Sequence, residues 1–450
     1  MKSVRSAFLK LEGRNTILVL THAKEIIAAR NGSPLVIGLN PKTNETYFSS
    51  DTLSFSKNAS KFIVVDNGQM VTSSKGKIEI SEIESGKKVN YVHEDISMLS
   101  DEINKEGYPH FMLKEIHESP LVIKQLISQD LAEYQSLVTS IKKAGTVYTI
   151  GSGTAGIAAS QIAFYLRENA KINAISLVGA DSMEYFKLFS KKDVIIAPSQ
   201  SGETADVLEV LEIAKEKGVQ IASFVNMPGS TMTRISDYKF MAQAGPEICV
   251  MSTKVFVSQL AWGYLLSKIV AGKGDDAIEN LHTLSEQLST YLNNPKTVKE
   301  IQKVAKSLIK PKDIFLLGKF QNFNIAKEGM VKLIEGSYKH AHAIPAGDLK
   351  HYAITLMEPG VPVITIVSED VAKVDILSAI SQVKARGATV IGISTQNHQN
   401  FDHLLKVPDT GETAAITNII PLQLLAYYLT VKLGHNVDRP RNIAKSVTVK

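Results

Sequence analysis

The sequence predicts an α/β protein: two units of parallel sheet flanked by helices, preceded by a smaller and mostly antiparallel β segment. Three observations predict this. From about residue 121 onward, short apolar strands alternate with amphipathic helices, the pattern of parallel strands joined by helical crossovers. The same order of elements then recurs, Gly151 to Ser199 spanning 48 positions and Gly318 to Ser368 spanning 50. Residues 1–90 instead carry closely spaced β signals separated by turn residues.

In chain order, residues 1–90 offer ILVL, PLVIGL, TYFSSD and KFIVVDNGQM, with Asp66-Asn67-Gly68 as a tight turn. Residues 91–120 are polar and poorly periodic, pass through Gly107, Pro109 and Pro120, and read as a linker with the entry to a helix. The first α/β unit, 121–285, has strands expected at 146–150, 174–178, 193–197 and 220–225. A helix carrying Val207, Leu208, Leu211 and Ala214 ends at Gly218. The second unit, 286–435, has strands expected at 313–317, 362–367 and 388–393. Its helix carries Val371, Val374, Leu377 and Ile380 and stops at Gly387, and helices around 275–308 join the two units. Residues 436–450 form a tail without helical or strand periodicity.

The bulk numbers narrow the function classes. The 450 residues are 44% hydrophobic and 21% charged, as in globular proteins. Fifty Lys and Arg against 45 Asp and Glu give a net charge of +5 without a long basic run, so a solvated surface is expected and nucleic-acid binding is not. Cys249 is the single cysteine, which excludes a disulfide within the chain and fits a reducing cytoplasm. The apolar stretch from Ala414 to Leu433 contains Asn418, Pro421, Gln423 and Lys432 and reads as a buried helix, not a membrane span.

Ser199-Gln200-Ser201-Gly202-Glu203-Thr204 follows a buried strand and opens a helix. Hydroxyls, an amide and free backbone N–H groups thus gather at a positive helix end, a cradle for phosphate. Gly202 lets the backbone come close. A second turn, Gly151-Ser152-Gly153-Thr154-Ala155-Gly156, matches GxGxxG, with Asp181 after the next strand, and keeps a dinucleotide reading open. The hydroxyl-rich loop favours a small phosphate ester.

Glu328, Lys332 and Glu335 fall at i, i+4 and i+7 on one helix face, as a surface ion-pair row or as chemical groups. His340, His342 and His351 suggest a metal site, but only Asp348 lies nearby as a further ligand. No metal is expected, and one histidine is a candidate for proton transfer.

Six segments together resemble the glucosamine-6-phosphate synthase family of glutamine–fructose-6-phosphate aminotransferases (isomerising). They are GSPLVIGL from Gly32, SQSGETAD from Ser199, GPEICVMSTK from Gly245, the Glu328–Glu335 helix, AGDLKH from Ala346 and RPRNIAKSVTV from Arg439. The resemblance runs along essentially the whole chain. It implies two doubly wound sugar-isomerase (SIS) domains, at 121–285 and 286–435, with a catalytic tail at 436–450. Residues 1–90 resemble the rear part of a glutaminase domain. The resemblance implies that Ser199, Gln200, Ser201 and Thr204 bind the sugar phosphate, and that Thr154, Val250, Ser252 and Ala444 complete the substrate site. It implies a Schiff base on Lys445, a proton shift by Glu335 helped by Lys332 and held by Glu328, and ring opening by His351 from a neighbouring subunit of a homodimer. No cofactor is implied.

The chemistry agrees. A ketose ring must open before its carbonyl reacts, an amine turns that carbonyl into a better electron sink, and a carboxylate can carry the 1,2-proton shift. The family's glutamine-hydrolysing front, with its cysteine nucleophile, has no counterpart here: Met1 is followed by Lys2. Either the sequence is a fragment, or a separate glutaminase chain supplies that front with glutamine hydrolysed elsewhere, or free ammonia is used. Ala155, His342 and Tyr352-Ala353 replace residues usual in the family. Two alternatives stay open: a deaminase releasing ammonia from glucosamine 6-phosphate, and a non-catalytic sugar-phosphate sensor.

Overall fold

The computed structural model describes residues 1–95 and 104–448. The centre of the expected 91–120 linker lies outside the described residues.

After α1 (Lys2–Phe8) come β1 (Asn15–Leu20), β2 (Ile26–Asn31), β3 (Val36–Asn40), β4 (Glu45–Ser49), β5 (Lys61–Val64), β6 (Gln69–Ser74), β7 (Lys77–Glu82), β8 (Lys88–Val89) and β9 (Glu94–Asp95). They build two antiparallel sheets, β1-β2-β6-β7-β8 and β4-β3-β5-β9. Alternating side chains such as Ala28, Ile37, Ile63, Val71 and Ile80 meet in one apolar core. Asp66-Asn67-Gly68 is a turn, but it carries the chain from β5 in one sheet to β6 in the other and closes no hairpin. Gly68 has φ +75°, and the Asn67 Oδ1 accepts the Gly32 N–H at 2.8 Å.

The next unit contains α2 (Phe111–His117), α3 (Ser119–Ile127), α4 (Gln135–Lys143), β10 (Val147–Gly151), α5 (Gly153–Ala170), β11 (Ala174–Val178), β12 (Val194–Ser199), α6 (Ala205–Glu216), β13 (Gln220–Val225), α7 (Thr231–Ile235), β14 (Tyr238–Met241) and α8 (Lys254–Val270). Through α9 (Gly274–Leu292) and α10 (Pro295–Ser307) the chain enters β15 (Asp313–Gly318), α11 (Phe323–Ser337), β16 (His340–Pro345), β17 (Pro362–Val367), α12 (Lys373–Lys384), β18 (Thr389–Ser394), β19 (His403–Lys406) and α13 (Ala414–Lys432).

Both sheets are parallel and share one topology, β11-β10-β12-β13-β14 and β16-β15-β17-β18-β19. In this order the chain reverses direction across the sheet between the first strand and the third, which opens a crevice at their carboxyl ends. A single apolar core, including Met112, Leu166, Trp262, Leu333, Leu425 and Val437, joins the two units. The apolar α13 belongs to it, with 89% of its most apolar window buried inside the protein.

Four expectations need correction. The segment expected as linker contributes a buried helix, α2, whose Met112, Glu115 and Ile116 are packed inside. The boundary expected at 285/286 falls within α9, a continuous helix. The apolar stripe expected along α12 is displaced: Val371 and Val374 are 84% and 77% exposed, while Ile376, Ala379, Ile380 and Val383 are buried. The buried four fall at i, i+3, i+4 and i+7, whereas a count by threes from Val371, which precedes the helix, drifts round to the solvent face. The edge strands β14 and β19, and β16 with its His340 and His342, were not foreseen, because polar residues dilute their period-2 signal.

Candidate active site

The two loops flanking the first crevice hold the polar groups. Gly151 to Ala155 leaves β10 and Ser199 to Thr204 leaves β12. In the second loop the Ser199 hydroxyl accepts the Gly202 N–H at 2.8 Å and the Ser201 hydroxyl accepts the Glu203 N–H at 3.2 Å. Gly202 has φ +68°, and a Cβ there would lie 2.3 Å from the Ser230 hydroxyl, so the tight turn demands glycine. Thr204 is the N-cap of α6 without using its own hydroxyl as a cap, which leaves that group free for a ligand.

A cavity of about 570 Å³ opens over these loops. Ser199, Gln200, Ser201, Thr204, Thr154, Val250, Ser252 and Ala444 all line it, together with Lys445 and Glu335. The structure thus brings every expected substrate-binding residue to one place, with the amine and the carboxylate on its wall. The corresponding crevice of the second unit is plugged: the Ser368 hydroxyl accepts hydrogen bonds from the buried Asn322 and Asn418 amides at 2.8 and 2.9 Å.

Lys445 reaches the cavity from the tail. Its Nζ donates to the Glu247 Oε2 at 2.6 Å and to the Cys249 carbonyl at 2.6 Å. Glu247 was missed by sequence reasoning, although the GPEICVMSTK segment contains it as its only acid. Its other oxygen accepts the Thr253 and Val255 N–H groups at 2.9 and 3.1 Å, at the start of α8. Burial pushes the Glu247 carboxyl up, but Lys445 and those two amides outweigh it and hold the group below the usual carboxylate range. The tail also binds the phosphate loop directly: the Ser446 hydroxyl donates to the Ser201 hydroxyl at 3.1 Å, and the Val447 carbonyl accepts the Ala205 N–H at 3.2 Å.

Behind the opposite wall, α11 carries the expected ion-pair row, and it is interior, not surface. Lys332 and Glu328 are fully buried. The Lys332 Nζ lies 2.6 Å from the Glu335 carboxylate and 3.3 Å from that of Glu328. Glu328 also accepts the Thr154 hydroxyl at 3.1 Å, tying the second unit to the first unit's glycine loop. Burial raises the Glu328 carboxyl to about 7, against the pull of Lys332 and Thr154 and with the neighbouring Glu335 charge adding to the rise. Burial alone would lower the Lys332 ammonium, but its two carboxylates reverse the sign and raise it.

The histidines are elsewhere. His351 is exposed on a short 3-10 turn and does not line the cavity. His340 is exposed and pairs with Asp313 at 2.9 Å. Among the described residues no group of three His, Cys, Asp or Glu side chains is arranged to hold a metal.

Residues 140–268 and 307–433 each match the SIS domain family. A glutamine–fructose-6-phosphate aminotransferase [isomerizing] of Pyrococcus horikoshii is 36% identical, aligning 99% of this chain with 75% of its own length. Its namesake in Thermococcus kodakarensis is 34% identical over 100% of this chain and 76% of the relative. Among solved structures, the C-terminal domain of glucosamine-fructose-6-phosphate aminotransferase from Francisella tularensis superposes with a TM-score of 0.66 at 29% identity, covering 75% of this chain and 100% of that one. Glucosamine-6-phosphate deaminase from Thermotoga maritima gives 0.60 at 20% identity over 75% of this chain and 99% of that one, a likeness of fold alone.

Proposed function

The chain belongs to the glutamine–fructose-6-phosphate aminotransferase (isomerizing) family, and on that premise we propose how its cavity converts fructose 6-phosphate and ammonia into glucosamine 6-phosphate and water. The observation that carries the reading is the convergence of Lys445, Glu335 and the Ser199–Thr204 loop on one cavity.

The loop's hydroxyls and the N-terminus of α6 hold the phosphate, supplying binding energy remote from the reacting carbons. Lys445, once it gives up its proton, adds to the C2 carbonyl and expels water as the imine forms. Ammonia then displaces the lysine, leaving a C2 ketimine. Glu335 removes a proton from C1 and returns it to C2, while the C1 hydroxyl proton passes to the imine nitrogen, giving the C1 aldehyde and the C2 amine. Lys332, buried and charged, steadies the Glu335 carboxylate, and Glu328, itself held by the Thr154 hydroxyl, steadies Lys332. Thr154, Val250, Ser252 and Ala444 contact the sugar.

His351 opens the ring from a second copy of the chain, in a homodimer. Its exposure and its distance from the cavity lining support this reading. The nitrogen enters as ammonia, and the reaction runs in the cytoplasm. The domain limits that fit this chemistry are 1–90, two SIS units within 121–435 that α9 and α10 join, and a catalytic tail at 436–450.

The test is formation of glucosamine 6-phosphate from fructose 6-phosphate and ammonium. Lys445→Ala and Glu335→Gln proteins should fold and lose this activity. Full activity in either variant removes that residue from the mechanism, and a deamination rate far above the forward rate at equal ammonium would favour the reverse direction.

A further inference from the structure

Helix α2 joins the site through contacts that the chemistry above does not use. Glu115 is 2% exposed, and its Oε1 accepts the backbone N–H groups of both Ile248 and Cys249, at 2.5 and 3.2 Å. Its Oε2 is buried without a partner. The Cys249 residue held in this way presents its carbonyl to the Lys445 Nζ, and Glu247, two residues earlier, presents its carboxylate to the same amine.

The same helix grips the root of the tail. The N–H groups of Phe111 and Met112, unpaired donors at the start of α2, donate to the Asp438 carboxylate at 3.1 and 2.9 Å. The Val250 N–H donates to the Asp438 carbonyl at 3.0 Å, and the Cys249 thiol to the Val437 carbonyl at 3.5 Å. The 247–250 strap and the 437–438 root are thus fixed to each other and to one short helix. The outer flank of α2 is anchored as well, Glu118 pairing with the buried Lys254 at 2.7 Å where α8 begins.

We propose that α2 is a clamp for the reactive amine, with Glu115 as a positioning residue that sets the 248–249 backbone against which Lys445 is aimed. This deepens the reading of Lys445 as the imine-forming group and rests on it. Glu115 does not line the cavity, and its hydrogen bonds go to the 248–249 backbone that faces Lys445. Its removal therefore alters the aim of the amine and leaves the phosphate loop intact.

Borohydride trapping of fructose 6-phosphate on Lys445, followed by mass spectrometry, reads that aim directly. Glu115→Asp keeps the carboxyl group but is one methylene too short to reach both N–H groups. It should slow trapping and kcat by about tenfold or more while KM for fructose 6-phosphate stays within about twofold, because misplacement by about an ångström is costly to a positioned reaction. Glu115→Gln keeps an acceptor oxygen within reach and should recover trapping to within about threefold of the unaltered protein. Wild-type trapping in Glu115→Asp overturns the clamp, as does a loss in Glu115→Gln equal to that in Glu115→Asp. A Lys445→Ala protein that keeps its activity removes the underlying mechanism instead, so the two failures read differently.

Discussion

Glu328 of the second sheet's first helix accepts the Thr154 hydroxyl of the first sheet's glycine loop at 3.1 Å, and this bond crosses the seam between the two repeats. It couples α11 to the crevice of the first unit. Its carboxyl is raised to about 7 by burial, whereas an exposed glutamate stays near its ordinary value.

That shift gives a pH prediction. The folded-state carboxyl binds its proton more tightly than the unfolded one, so the folded protein holds more protons between the two values. Its stability contribution therefore falls as pH rises from about 4.5 towards about 7. Glu328→Gln lacks this titration. Chemical denaturation at a series of pH values should show the variant gaining on the unaltered protein across that window, and a constant difference would contradict the shift.

Glu247 has the opposite sign. Its folded-state carboxyl lies below its usual range, so the stability it contributes is fully present at neutral pH and disappears as pH falls below the ordinary carboxylate value. Glu247→Ala strands the Thr253 and Val255 N–H groups at the start of α8, at a cost of about 1–3 kcal/mol. The expected result is a lowered denaturation midpoint at pH 7 and a smaller loss near pH 4.

Gly202→Ala forces a side chain into a left-handed backbone position and against Ser230. The conformational part alone costs about 1–2 kcal/mol. The loop must shift to relieve the contact, so KM for fructose 6-phosphate should rise several-fold, with a smaller effect on kcat. Steady-state kinetics separate the two, and an unchanged KM would dissociate this turn from phosphate binding.

If His351 serves the neighbouring subunit's cavity, Lys445→Ala and His351→Ala chains complement each other. Each is expected to be inactive alone. Mixed and allowed to exchange subunits, they should regain activity, because one site of a mixed dimer then holds both intact groups. No recovery from a mixture shown to contain hybrids would assign His351 to its own chain's site or to no site.

Much of the architecture was legible in the sequence because parallel strands buried on both faces read as continuous apolar runs, such as Pro362–Val367. The phosphate loop was legible because hydroxyls and a glycine stand together between a strand and a helix. The tail was legible only through resemblance, since Lys445 acquires its surroundings from Glu247 and Cys249, nearly 200 residues away. Glu115 lay in a stretch read as linker, because a seven-residue helix is too short to show a 3.6-residue period. Whether the Glu328 row faced water or the interior could not be read from spacing, which is the same in both cases.

The Val447 carbonyl caps the first amide of α6, two positions beyond the reactive lysine. A cut between Ser446 and Val447 would therefore spare Lys445 and still uncover the first amide of α6, beside the loop proposed to take phosphate.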